Sequence, residues 1–235
     1  MSTQYVKAVL FDLDGTLIDT AADFIRIIGR MSEQNNWKTP PEEAIREQVS
    51  AGAAAMVSLM LKYNDQPLTD ELVQQYRAQF LAEYEADICV DSCVFKELEP
   101  LLTYYEKKQI PWGIVTNKPR DLSVKLLDEL NLEERCSVLV CPDDVSITKP
   151  DPEPLYLALE KLELPRGIAN SVIYVGDHIR DIQAGAAAGM TTILAGYGYI
   201  PPEDQQDLDT WGADYVVETP KKLVKLLKSK RFDYL

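Results

Sequence analysis

An α/β fold with a doubly wound parallel-sheet (Rossmann-like) core and a small all-helical unit is predicted for this 235-residue sequence. Three observations predict it. An apolar run, Val6-Lys7-Ala8-Val9-Leu10-Phe11, leads directly into Asp12-Leu13-Asp14-Gly15-Thr16. After Lys96, short apolar runs alternate with amphipathic segments, the pattern of parallel strands joined by right-handed helical crossovers. Between these regions, apolar residues recur only at helical spacing.

In chain order, the first run reads as a buried strand. From Ala21 to about Ala86 the apolar positions Phe24-Ile25-Ile27-Ile28-Met31, Ala54 to Leu61 and Leu72-Tyr76-Phe80-Tyr84 predict about four helices. Pro40-Pro41 before Glu42 and Glu43 marks one start, and Thr69-Asp70-Glu71 another. Helices are then expected over Leu98 to Lys107, Asp121 to Leu130, Pro154 to Leu162, Arg180 to Ala188 and Lys221 to Leu227. Strands are expected over Trp112 to Val115, Val138 to Cys141, Val172 to Val175, Thr192 to Leu194 and Tyr215 to Val217. The division is therefore a core of residues 1–19 and 91–235 and a helical insert of residues 20–90. Connections near Leu17 to Thr20 and Asp87 to Asp91 would hinge the insert over the strand ends.

A net charge of −14 argues against nucleic acid or an anionic membrane as partner, since either needs a positive footprint. No stretch reaches the roughly eighteen apolar residues of a membrane span, and the N-terminus lacks a signal-type core. A cytoplasmic protein, monomeric or homodimeric, is expected. The cysteines Cys89, Cys93, Cys136 and Cys141 form no C-x-x-C pair and read as thiols in a reducing compartment. His178 is the single histidine, which leaves little room for histidine metal clusters or Ser-His-Asp catalysis.

Two carboxylates spaced i and i+2 at a strand end, before a turn glycine, need a counter-charge. A divalent cation supplies it, and oxygen-only ligands suit Mg²⁺. The plainer reading is a polar turn capping the next helix. Three later segments carry further polar groups: Thr116-Asn117, Lys149 before Pro150, and Gly176-Asp177 with Asp181. In an open parallel sheet the strand C-termini converge on one crevice, so these groups can share a site.

The ordered set Asp12-x-Asp14-Gly15-Thr16, Thr116, Lys149 and Gly176-Asp177-x-x-x-Asp181 resembles the four motifs of the haloacid dehalogenase-like (HAD) hydrolase superfamily. Thr116-Asn117-Lys118-Pro119 and Lys149-Pro150-x-Pro152 resemble its phosphoglycolate phosphatase group. Cys141-Pro142-Asp143-Asp144, Gly198-Tyr199-Ile200 and Trp211-Gly212-Ala213-Asp214 are similar to the N-acetylmuramic acid 6-phosphate phosphatases of peptidoglycan recycling. The resemblance implies a HAD-like core with a helical cap, and a Mg²⁺-dependent phosphatase acting on a small phosphorylated metabolite. Asp12 is then the nucleophile forming an aspartyl-phosphate, and Asp14 the general acid and base. Thr116 and Lys149 are expected to hold the phosphoryl group, aided by the Leu13 N–H.

The expected metal set is Asp12, Asp177, the Asp14 carbonyl and Asp181, with Asp181 either completing the outer shell or orienting Lys149. Asn117 and Lys118 are expected on the crevice rim, facing phosphate or substrate or simply opening a helix. Ser50-Ala51-Gly52 reads as a substrate-facing turn whose N–H groups receive an anion, or as an ordinary helix start. His178 could tune the site, and Gly196-Tyr197-Gly198-Tyr199 could line its mouth. Asp14 disfavours a dehalogenase or phosphonatase. A sugar phosphomutase keeps the same motifs, and a phospho-acceptor signalling module shares the Asp, Thr and Lys set in another order.

Overall fold

The computed structural model describes residues 3–201, 204 and 207–234. The chain opens with β1 (Gln4–Val6), β2 (Ala8–Phe11) and β3 (Ile18–Asp19). Four helices follow: α1 (Ala21–Gln34), α2 (Glu42–Arg46), α3 (Ala53–Tyr63) and α4 (Asp70–Ala86). After β4 (Cys93–Val94) come α5 (Glu99–Lys107), β5 (Trp112–Val115), α6 (Arg120–Glu129), β6 (Val138–Val140), α7 (Glu153–Lys161), β7 (Val172–Gly176) and α8 (Ile179–Ala188). The remaining elements are β8 (Thr191–Ala195), β9 (Tyr215–Val217), α9 (Pro220–Leu227) and β10 (Phe232–Tyr234).

Six strands form a parallel sheet in the order β6-β5-β2-β7-β8-β9. The chain leaves β2 toward one edge through β5 and β6, then returns to build the other edge from β7. The strand order therefore switches around β2, where an open sheet leaves a crevice beyond its C-terminal ends. Side-chain alternation explains the double winding. Val9, Phe11, Trp112, Ile114, Ile173 and Val175 join a core with residues of α5, α6 and α9. Ala8, Leu10, Val115, Val172 and Tyr174 face a second core with residues of α7 and α8. All four residues of β2 have no exposure, so this strand reads as a continuous apolar run.

The first apolar run is not one strand, as the sequence suggested. Lys7 separates two pieces by donating its N–H to the Ser171 carbonyl (2.7 Å), and β1 pairs in parallel with β10 in its own ribbon. β10 was not expected at all. The basic C-terminal helix stops at Leu227, and the following chain turns back to bury Phe232.

The helical insert packs Phe24 of α1 against Phe80 and Tyr84 of α4, with ring centroids 5.6 and 4.8 Å apart. Thr69 caps α4 by accepting the Leu72 N–H. Its two connections are not loose: β3 pairs antiparallel with β4. Asp23, fully buried on α1, accepts N–H bonds from Asp91 and Ser92 and a hydroxyl bond from Ser92, and pairs with Arg26 (2.6 Å). No described helix is long and apolar enough to cross a membrane.

Candidate active site

The crevice collects side chains from four strand-end loops. Asp12 follows β2 directly, its N–H bonded to the Val175 carbonyl (2.8 Å), so the end of β7 fixes where its side chain emerges. Thr116 follows β5, with its N–H on the Val140 carbonyl (3.0 Å). Asp177 follows β7, and Lys149 arrives from the loop ahead of α7. All four are buried.

Lys149 carries the densest set of contacts. Its Nζ lies 3.0 Å from Asp12 Oδ1 and donates to Asp181 Oδ1 (2.7 Å), the Tyr174 hydroxyl (2.8 Å) and the Val115 carbonyl (2.9 Å). Burial works against its charge, but Asp12 and Asp181 outweigh it and hold the ammonium above its ordinary pKa. For Asp12, burial and the Asp181 charge raise the carboxyl despite Lys149. Asp181 has no exposure, and its Oδ2 accepts the His178 N–H (3.0 Å). These contacts set Asp181 against Lys149, one of the two arrangements expected for it.

Asp177 sits in a cradle of small residues. A Cβ on Gly15, whose φ is +78°, would lie 2.3 Å from Asp177 Oδ2, and one on Gly198 would lie 2.2 Å from its Cβ. Thr16 Oγ1 donates to Oδ1 (3.3 Å), and the Tyr199 N–H donates to Oδ2 (2.9 Å). Burial, then the charges of Asp12 and Asp181, push this carboxyl up to about 7. Oxygens of Asp12, Asp177 and Asp181 lie within 4.8 Å of one another. Three buried carboxylates thus face one ammonium, and Asp12 Oδ1 has no well-directed hydrogen bond. That donor set, hard oxygens with an excess of negative charge, fits a divalent cation.

Asp14 lies at the edge of the cavity, its carboxylate 3.2 Å from Lys118 Nζ. Lys118 is not on the rim, as the sequence suggested. It is 8 % exposed, because α1 and α4 bring the Phe24 and Tyr84 rings within 4.7 and 4.3 Å of its ammonium. Burial lowers its pKa, and Asp14 only partly restores it. Asn117 donates its amide to the Lys149 carbonyl (3.1 Å) and also lines the cavity. Leu13 is fully buried, so only its backbone is available to a ligand.

Ser50 and Gly52 do reach the cavity, and of the two readings open for this turn Gly52 takes the helix start, standing as the N-cap of α3. Gly52 spends its N–H on the Val49 carbonyl (2.9 Å). Ser50 donates its hydroxyl to Asp177 Oδ2, and its carbonyl accepts from Arg180, so this loop ties the helical insert to the sheet. Nor do the tyrosines line the mouth. The Tyr199 hydroxyl accepts the Thr20 and Ala21 N–H groups and donates to Asp19, while Tyr197 donates to the Thr16 carbonyl. His178 caps α8 through Nδ1.

The cavity runs from Asp12, Asp14 and Thr116 to a wall formed by Val49, Met56, Arg77, Phe80, Leu81 and Tyr84. Sequence reasoning missed Tyr174, Arg180 and Arg77. Only Arg77 left a signal, since it continues the helical spacing of Phe80, Leu81 and Tyr84.

A family model described as Haloacid dehalogenase-like hydrolase matches residues 9–195. The chain is 42 % identical over 224 residues to the N-acetylmuramic acid 6-phosphate phosphatase of Pseudomonas putida, covering 95 % of this chain and 97 % of that protein. It is 36 % identical over 220 residues to a phosphoglycolate phosphatase of Xanthomonas campestris, covering 94 % and 96 %. Among solved structures, one described as a predicted phosphoglycolate phosphatase from Haemophilus somnus superimposes with a TM-score of 0.79 at 23 % identity, covering 95 % of this chain and 98 % of the other.

Proposed function

The chain belongs to the haloacid dehalogenase-like hydrolase family and is one of its phosphatases, and we propose that it hydrolyses N-acetylmuramic acid 6-phosphate with Mg²⁺ as cofactor. The observation that carries the phosphatase chemistry is the shared cavity, onto which Asp12, Asp14 and Thr116 open together. Phosphoester hydrolysis needs a nucleophile, neutralisation of phosphoryl charge and a proton for the leaving oxygen.

Asp12 attacks phosphorus in line with the leaving group. The ester bond breaks as the aspartyl-phosphate bond forms, and Asp14 donates its proton to the departing alkoxide oxygen. Water then attacks the aspartyl-phosphate, Asp14 takes up the water's proton, and inorganic phosphate leaves with Asp12 restored. Lys149, held by Asp181 and Tyr174, stays beside Asp12 as a fixed positive charge, and Thr116 offers its hydroxyl to a phosphoryl oxygen. Lys118 orients the Asp14 carboxylate and, under the Phe24 and Tyr84 rings, links its position to the helical insert. Asp12, Asp177 and the Asp14 carbonyl would hold the cation, which supplies charge neutralisation that lets an anionic nucleophile approach an anionic ester.

The substrate follows the relatives at 42 % and 40 % identity, both of them N-acetylmuramic acid 6-phosphate phosphatases. The 36 % relatives named phosphoglycolate phosphatase give the second reading. The test is phosphate release from both compounds, before and after metal chelation, with Asp12→Asn as the inactive control. Mg²⁺-dependent release is expected, with kcat/KM for the muramic compound about 100-fold higher, or about 2.7 kcal/mol. The reverse preference replaces the substrate, and release from neither compound overturns the reading.

A further inference from the structure

The cavity contains one charge that the hydrolytic chemistry leaves unused. Arg77 lies on α4 with Phe80, Leu81 and Tyr84 at i+3, i+4 and i+7, and all four line the same wall. The other two cations of the cavity are engaged, Lys118 with Asp14 and Arg180 with the Ser50 carbonyl. Among the described residues, the Arg77 guanidinium has no hydrogen bond, ion pair or ring contact. The described carboxylates lining the cavity are Asp12 and Asp14, both assigned to the reacting phosphate. Around Arg77 the wall is largely apolar, with Val49, Ala53, Ala54 and Met56 completing it.

A partly buried guanidinium against such a wall is a poor structural element and a good receptor. Its planar fork matches a carboxylate with two parallel hydrogen bonds, and apolar surroundings strengthen the pairing by excluding water. One guanidinium balances one carboxylate. A second phosphate carries more charge than Arg77 alone neutralises, and the other two cations lining the cavity are already engaged. We infer that Arg77 is the specificity-determining residue of the helical insert, receiving a carboxylate on the leaving-group half of the substrate. The substrate class is therefore a phosphomonoester of a hydroxy acid, with phosphate at the strand ends and carboxylate at α4. This rests on the phosphatase reading above and deepens it, since both compounds considered there carry such a carboxylate.

The experiment compares kcat/KM within two matched pairs. One pair is N-acetylmuramic acid 6-phosphate and N-acetylglucosamine 6-phosphate, which lacks the lactyl carboxylate. The other is phosphoglycolate and 2-hydroxyethyl phosphate, in which a hydroxymethyl group replaces the carboxylate. The wild type should favour the acid by about tenfold or more in at least one pair, Arg77→Gln should bring that ratio near unity, and Arg77→Lys should keep part of it. Both members meet the same preparation, so any misfolded fraction cancels from the ratio. A wild type with no preference within either pair, or an Arg77→Gln variant that slows both members equally, overturns the assignment. The choice between pairs tests the substrate proposed above, and the ratio within a pair tests Arg77. Release from neither pair overturns both.

Discussion

His178 shows how far one side chain's role depends on its protonation. Its Nδ1 accepts the Arg180 backbone N–H (3.2 Å) at the start of α8, which only the neutral ring can do, while the His178 backbone N–H goes to Asp181. Burial, then the Arg180 charge, lowers its pKa to about 4. Between about 6.5 and 4 the unfolded chain takes up a proton that the folded one refuses, so this residue's contribution is lost as the pH falls through that window. Asp177, raised to about 7 when no cation is bound, has the opposite sign there, because its folded form then binds the extra proton. The measurement is therefore a comparison of unfolding free energies for wild type and His178→Asn, which keeps a capping acceptor but does not titrate. The wild type should lose up to about 2 kcal/mol more on going from neutral pH to about 4.5, and parallel profiles would remove His178 from this role. At this scale the sequence was informative about place, since Asp12, Thr116 and Asp177 each directly follow a strand and come together in one crevice. It misplaced Lys118, because what buries that ammonium is two rings brought by helices far away in the chain.

Among the elements, the paired connections β3 and β4 and the carboxylate beneath them hold the insert in place. Burial would raise the pKa of Asp23, but the Ser92 hydroxyl, the Arg26 guanidinium and two backbone amides hold it below the ordinary range. Asp23→Ala strands the buried Ser92 N–H and hydroxyl, and should cost about 3 kcal/mol in urea unfolding. Asp87→Ala, on the exposed side of the same arginine, should cost markedly less. Equal losses would show that the tie is not at Asp23. Helices α1, α3 and α4 were legible because Phe24-Ile27-Ile28-Met31, Ala54 to Leu61 and Leu72-Tyr76-Phe80-Tyr84 each keep helical spacing, and Thr69 supplies a cap for α4. The β3–β4 ribbon was not, since two residues carry no period. The β1–β10 ribbon, three residues to a strand, is also too short to show a period, and Gln4 and Asp233 give it no apolar signature.

At the scale of the molecule, the sheet was readable from alternation of strands and helices, while its order 6-5-2-7-8-9 was not, because local sequence does not say which neighbours a parallel strand takes. That order has a consequence for severed chains. The peptide between α4 and β4 is accessible, with Val90 56 % exposed. A cut there leaves a first piece holding β2, Asp12, Asp14 and the helical insert, and a second holding β5, β7, Thr116, Lys149 and Asp177. Neither piece has a site of its own. Yet β2 is hydrogen-bonded to second-piece strands on both sides, and its face residues sit in cores built from both pieces. Limited proteolysis at this peptide should give two bands on a denaturing gel, a single peak in native gel filtration, and retained phosphatase activity; separation of the pieces in plain buffer would contradict it. A nick at this peptide would thus leave one enzyme made of two chains with its active site divided between them, so that retained activity would itself report that the two pieces are still together.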